Sequence, residues 1–297
     1  MTEQLFELPE SYLAIIEEAK KVAQQVAPYA HHADEADHFD PNVRQILAES
    51  GLCSLTVPKK FGGRFEEVDS LAVTVVREQL AYESAHVDSM FCMQGIGSYA
   101  LAQAGSPALQ EAWLPAVGRL ESIAALGLTE PDVGSDMRAI TTTIEVDGDS
   151  LRINGHKSFI TNAGDADFYT MLGKETVGGE IAYSLVLIPA STPGLSVSHP
   201  HQIIAPHVLG DVIMKDVMVP SSHRIGEPGK GFNLVLATLS TFRVSVAGAA
   251  IGIAQAALDE ATKHAAGREQ FGVPLARLGG IPAQLANSWA EIEMARA

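Results

Sequence analysis

Along the first 120 residues, apolar side chains recur at intervals of three and four. Leu13, Ile16, Ala19, Val22, Ala23 and Val26 fall on one helix face, and Val68, Leu71, Ala72, Val75, Val76 and Leu80 repeat the pattern. Asp69 or Ser70 stands where a cap is needed for the free N–H groups that start the second helix. Asp40-Pro41 opens a shorter helix that stops at Gly51, and Pro58 and Gly62-Gly63 break the chain before the next element. Two further helices are predicted over 86–104 and 107–118, the second started by Ser106-Pro107. Residues 1–122 therefore read as a helical bundle.

At Ile123 the period changes. Thr143 to Val146, Asp147-Gly148 and Leu151 to Ile153 read as strand, turn and strand, and Asn154-Gly155 then predicts a second tight hairpin turn. Strands follow over 156–161, 168–172 and 181–188, with Gly178-Gly179 turning the chain, and shorter ones over 195–198, 208–214 and 216–219. Consecutive hairpins without helices between them predict an antiparallel β-barrel or sandwich over 123–228. From Gly231 the helical period returns, as one long helix over 232–266 and a second from Pro282 that still runs at Ala297. Its apolar stripe (Ile281, Leu285, Trp289, Ile292, Ala295) calls for a partner surface. Residues 229–297 are thus predicted as an incomplete C-terminal helical bundle, and the class is α+β.

Composition narrows the function. A chain 46% hydrophobic and 19% charged has the means to fold around a core and is not a disordered one. A net charge of −16 removes the main energy source for nucleic-acid binding. Two cysteines, Cys53 and Cys92, cannot build a disulfide framework and read as buried thiols. The acidic N-terminus lacks the basic and apolar regions of a signal peptide. Residues 232–258 approach membrane length, but Arg243 at their centre makes a span costly. A buried helix and a cytoplasmic location are expected.

Three segments carry candidate chemistry. Leu126 to Asp136 includes T-E-P-x-x-G-S-D, whose glycines and hydroxyls leave donors for a phosphate or a heteroaromatic edge; alone it reads as a turn. Asn154 to Gly164 fits N-G-x-K-x-x-I-T-N-x-G, and Arg268 to Leu275 fits R-x-Q-F-G-x-P-L. In this order, after a helical domain, the three motifs resemble the flavin-dependent acyl-CoA dehydrogenase family from about Leu8 to the last residue. Asp216 to Pro220 and Gly226 to Phe232 are similar to the segment leading into that family's long helix.

The resemblance implies FAD as cofactor, held by Leu126, Leu128, Thr129, Gly134, Ser135, Phe159, Ile160 and Thr161. Within that set, Leu128 and Thr129 would meet the flavin pyrimidine, and Ser135 the pyrophosphate and the acyl thioester. Phe159 would lie flat against the ring system, and Thr161 would bond near flavin N5. Arg268, Gln270 and Phe271 would contact FAD bound to a neighbouring subunit, which implies a homodimer or homotetramer. Ser135, Phe242 and Arg243 would border the acyl-thioester substrate, and an electron-transfer flavoprotein would take the electrons.

In most members of the family the base is a Glu of the C-terminal helices, at a place expected beyond Ala297, and in a minority it is the residue before the Arg matching Arg243. That residue here is Phe242, so no base is identified and the chain as written is expected to be inactive. Gly279 stands where a Gln is usual, and Ala205-Pro206-His207 replaces an R-x-S-like element. Two alternatives stay open: a non-catalytic subunit of a heteromeric dehydrogenase, or a relative of the flavin monooxygenase or nitroalkane-oxidase kind. His199, His201 and His207 lack metal-ligand spacing and read as exposed loop histidines.

Overall fold

The computed structural model describes residues 8–201, 203–204 and 207–297. Five helices come first: α1 (Glu10–Asp34), α2 (Pro41–Ser50), α3 (Ser70–Glu83), α4 (Ala85–Ala104) and α5 (Pro107–Gly118). Their caps follow from sequence. Asp40, Asp69, Ser84 and Ser106 accept the first free N–H groups of α2 to α5, and Gly51 closes α2 at φ 68°. The buried stripe of α1 starts at Ile15; Leu13 and Leu71, expected on buried faces, are 48% and 40% exposed. Tyr12 instead turns inward and donates to Asp69.

The central strands are β1 (Ala124–Gly127), β2 (Thr143–Asp147), β3 (Ser150–Thr161), β4 (Phe168–Val177), β5 (Glu180–Pro189), β6 (Leu195–Ser198), β7 (Leu209–Pro220) and β8 (Arg224–Ile225). They form one sheet in the order β6-β7-β3-β2-β4-β5-β8, with β1 alongside β4. The expected barrel or sandwich is corrected here. The sheet is mixed, because β1 and the start of β2 both meet β4 in parallel. It is also open, since no ladder among the described residues joins β6 to β8. A single edge of β4 receives both β1 and β2, a long-range choice that local hairpin signals do not carry.

Asn154-Gly155 is a second correction. It lies inside β3, where the register against β7 slips between Ile153 and Gly155, a bulge rather than a turn. Asn154 exchanges two hydrogen bonds with Asp216, which takes the left-handed φ of 50° on the facing strand. A Cβ at Gly155 would stand 2.2 Å from the Thr142 hydroxyl, so strand packing is what requires glycine there. Gly178-Gly179, both at positive φ, does form the predicted hairpin turn between β4 and β5.

The expected long helix runs over Gly231–Gly267, with one irregular residue, Val244, that keeps helical φ −61° and ψ −32° and separates α6 (Gly231–Arg243) from α7 (Ser245–Gly267). The Ser245 hydroxyl donates to the Phe242 carbonyl at 2.6 Å, competing with the helix ladder. It also accepts from Arg77, whose guanidinium forks onto Asp88 at 2.8 and 2.7 Å. Burial pushes the Asp88 carboxyl up, and Arg77 opposes this. α7 lies so close on α3 that a Cβ at Gly248 or Gly252 would come within 2.3 Å of Thr74 O or 2.1 Å of Glu78 O.

A short hairpin, β9 (Glu269–Gln270) and β10 (Val273–Pro274), then leads to α8 (Ile281–Arg296). One large core runs from α1 to α4 into the sheet, whereas α7 and α8 share a cluster of only Ile251, Leu258 and Ile292. By length and composition Gly231–Gly267 is apolar enough to cross a membrane; Arg243 lies within it, and 39% of its most apolar window is buried in protein, less than the buried helix expected. Cys53 and Cys92 are free, buried thiols, each pushed up to about 12 by burial.

Candidate active site

The first two motifs meet at a buried ion pair. Lys157 on β3 places its ammonium 3.0 Å from Glu130 Oε1, and both side chains are essentially inaccessible. The same ammonium donates to Leu128 O at 3.0 Å, and the Ser158 N–H donates to Thr129 O at 2.9 Å. Strand β3 thereby grips the loop that leaves β1 at two successive carbonyls.

Glu130 in turn accepts the backbone N–H and the hydroxyl of both Thr141 and Thr142, at 2.6 to 3.0 Å. Its backbone exchanges two hydrogen bonds with Val133. Burial alone would raise the Glu130 carboxyl, but the threonine donors and Lys157 overcome it and hold the group at about 2. Burial lowers Lys157 to about 8 against the pull of Glu130. The pair thus fixes both ends of the loop 130–142.

Around this hub stand the residues expected to meet a flavin. Leu128 and Thr129 are half-buried and next to β3, while Gly134 and Ser135 are exposed on the loop. A Cβ at Gly134 would touch nothing of the chain, so the space beside it is open to a ligand. Leu126 and Ile160 are 9% and 2% exposed and turn their side chains into the core, leaving only backbone to the site. Phe159 is the opposite case: between buried neighbours, φ 56° leaves its ring 54% exposed. Thr161 is half-buried, its hydroxyl 3.4 Å from His207 Nε2.

An exposed aromatic face beside anchored amides and open hydroxyls fits a planar heteroaromatic ring with polar edges. The third motif stands apart. Arg268 and Gln270 are exposed at the β9–β10 hairpin, and Phe271, at φ 52°, is 95% exposed. Phe242 and Arg243 separate as well. Phe242 is 3% exposed, edge-on to Tyr99 and over Gly95, while Arg243 faces solvent.

Two features escaped the sequence reading. One is the Lys157–Glu130 hub, signalled only by a lysine inside a predicted strand. The other is a group around Asp211. His201 Nε2 and Ser158 Oγ lie 2.7 and 2.6 Å from Asp211 Oδ1, and His156 Nε2 lies 2.8 Å from Oδ2. Burial raises the Asp211 carboxyl, but these three partners outweigh it and hold it at about 2.

The loop histidines are not exposed as expected. His199, His201 and His207 are half-buried, and His199 lies 3.0 Å from Leu209 O. No group of metal-ligating side chains occurs among the described residues. Ala205 and Pro206 lie outside the described residues, so the substitution noted there has no structural account.

A helical domain, an open mixed sheet and a paired-helix segment, with the site between sheet loops, make a three-part α+β architecture. Residues 9–121, 125–217 and 229–297 match the N-terminal, middle and C-terminal domains of acyl-CoA dehydrogenase. Cyclohex-1-ene-1-carbonyl-CoA dehydrogenase of Syntrophus aciditrophicus is 35% identical over 98% of this chain and 71% of its own. Glutaryl-CoA dehydrogenase of Desulfococcus multivorans is 31% identical over 93% and 72%.

Among solved structures, butyryl-CoA dehydrogenase from Megasphaera elsdenii superposes with a TM-score of 0.90 at 29% identity, covering 98% of this chain and 78% of that one. A chain described with the electron transferring flavoprotein of Acidaminococcus fermentans gives 0.90 at 28%, over 98% and 77%. The chain belongs to the acyl-CoA dehydrogenase family, oxidoreductases acting on CH–CH groups.

Proposed function

We propose that this chain carries the FAD and acyl-thioester sites of an acyl-CoA dehydrogenase, in which the Cβ hydride of an acyl thioester would pass to FAD and the Cα proton to a carboxylate base that is none of the residues assigned here. The observation that carries the reading is the Lys157–Glu130 hub, which holds Leu128, Thr129 and the Ser135 loop beside Phe159 and Thr161. FAD, when bound, supplies the hydride acceptor; the chain supplies binding and orientation. Leu128 and Thr129 hold the polar edge of the ring, Phe159 its face, Thr161 a hydroxyl near the reacting nitrogen, and Ser135 the pyrophosphate and thioester side. Leu126, Gly134 and Ile160 contribute backbone and space.

Arg243 borders the substrate. Phe242, buried beside Tyr99, supplies no carboxylate and shapes the wall behind it. Arg268, Gln270 and Phe271 reach FAD on a second copy, in a homodimer or homotetramer, which accounts for an almost fully exposed Phe271. The acceptor is an electron-transfer flavoprotein, and the location is cytoplasmic.

Titration of the purified protein with FAD tests this reading. Flavin fluorescence should be quenched and the melting temperature raised. Arg268→Ala should weaken binding by about one to two decades, the loss of a charge-assisted bond. A parent chain that neither perturbs FAD nor is stabilised by it overturns the proposal.

A further inference from the structure

Phe159 is exposed on a left-handed backbone, a conformation that a residue with a Cβ adopts only at a cost. A ring lifted out of a strand in this way has no core to set its plane. One face of it is nevertheless occupied. The His201 imidazole stacks on it with centroids 3.9 Å apart and planes at 20°. Since 54% of Phe159 remains accessible with that face covered, its other face is open.

His201 is itself held. Its Nε2 is 2.7 Å from Asp211 Oδ1, and the same oxygen accepts from the hydroxyl of Ser158, the residue directly before Phe159. His156 secures the second oxygen at 2.8 Å. One carboxylate on β7 therefore ties together the strand that presents the phenyl ring and the loop that brings the imidazole onto it. The side chain of His201 is 16% exposed, so it is packed in place rather than lying loose on the surface.

We propose that His201 is a positioning residue for the cofactor: anchored by Asp211, it backs Phe159 and fixes the ring plane against which the flavin lies on the open face. The inference rests on the FAD reading above. It assigns His201 a role that acts through Phe159, on which it stacks.

The test is a double-mutant cycle read by FAD dissociation constant and by the shape of the visible flavin band. His201→Ala should weaken FAD about three- to tenfold, the range of a lost aromatic pair, and blur the band. His201→Phe, which keeps a stacking ring but loses the Asp211 anchor, should recover only part of the lost affinity. In a Phe159→Ala background, His201→Ala should add nothing.

Additive losses, or normal binding by His201→Ala, would overturn the backing role while leaving FAD binding intact. Tighter binding by His201→Ala would show that the imidazole occupies the cofactor's own face, and overturns it too. A parent chain that binds no FAD overturns both this role and the reading on which it rests.

Discussion

Helices α4 and α7 are similarly apolar and of similar length, yet α4 buries thirteen of its 20 residues and α7 seven of its 23. The difference is one of position. α4 lies between the N-terminal helices and β1, with Gly97 pressed against the Ala124–Ala125 backbone and Gln94 bonded to three backbone groups of the α5–β1 segment. α7 has a neighbour of that kind only in α3. On its other side it forms with α8 a groove of about 940 Å³, lined by small and apolar residues such as Ala250, Ala254 and Leu285. Composition states how much surface a helix offers for burial, and topology decides how much is taken.

The largest expected break of this contrast is on the covered side. Lys157→Met leaves the Glu130 charge without its cation and Leu128 O without its donor. A buried pair broken from one side costs about 3–5 kcal/mol, so chemical denaturation should show a loss of that size together with weaker FAD binding. Unchanged stability would mean that the four threonine donors suffice for Glu130.

Acid acts on the same region. The carboxyl of Glu130 sits at about 2 in the fold against an ordinary 4.5. A depressed carboxylate stabilises fully above its unfolded value and loses that contribution as pH falls through the folded one. That contribution should therefore disappear as pH falls from about 4.5 towards 2. The Glu130→Gln variant should show a shallower acid slope, and an identical slope would remove Glu130 as its source.

Two truncations sharpen the comparison itself. Leu101→Ala in α4, at a fully buried site, should cost about 3 kcal/mol. Ile292→Ala in α8 faces an open groove that can relax and should cost only about 1 kcal/mol. Equal losses by urea denaturation would show that α7 and α8 are as well packed as the main core.

Much of this architecture was legible in the residues. The caps at Asp40, Asp69 and Ser106 and the turn at Gly178-Gly179 are local devices, settled within a few residues of chain. What was not legible depends on distant partners. Asn154-Gly155 carries a turn signal that Asp216 and Thr142 turn into a bulge. The irregularity at Val244 lies beside Ser245, which Arg77, far away in sequence, engages. Leu128, Thr129, Phe159 and Thr161 could be named from their motifs, but the pair that brings them together could not. A strand lysine announces only that some acid must be near. Likewise, three histidines in a loop do not reveal that one of them stacks on Phe159.

The close approach of α7 to α3 at Gly248 and Gly252 has a consequence for sequence drift. Along that face any side chain larger than hydrogen would drive one helix off the other, since the obstacles are carbonyl oxygens that cannot swing aside. Along the groove side, at Ala247, Ala250 and Ala254, the backbone leaves room for larger residues. The same helix is therefore nearly frozen on one flank and permissive on the other, and adaptation to a different neighbour can proceed there without disturbing the seat on α3.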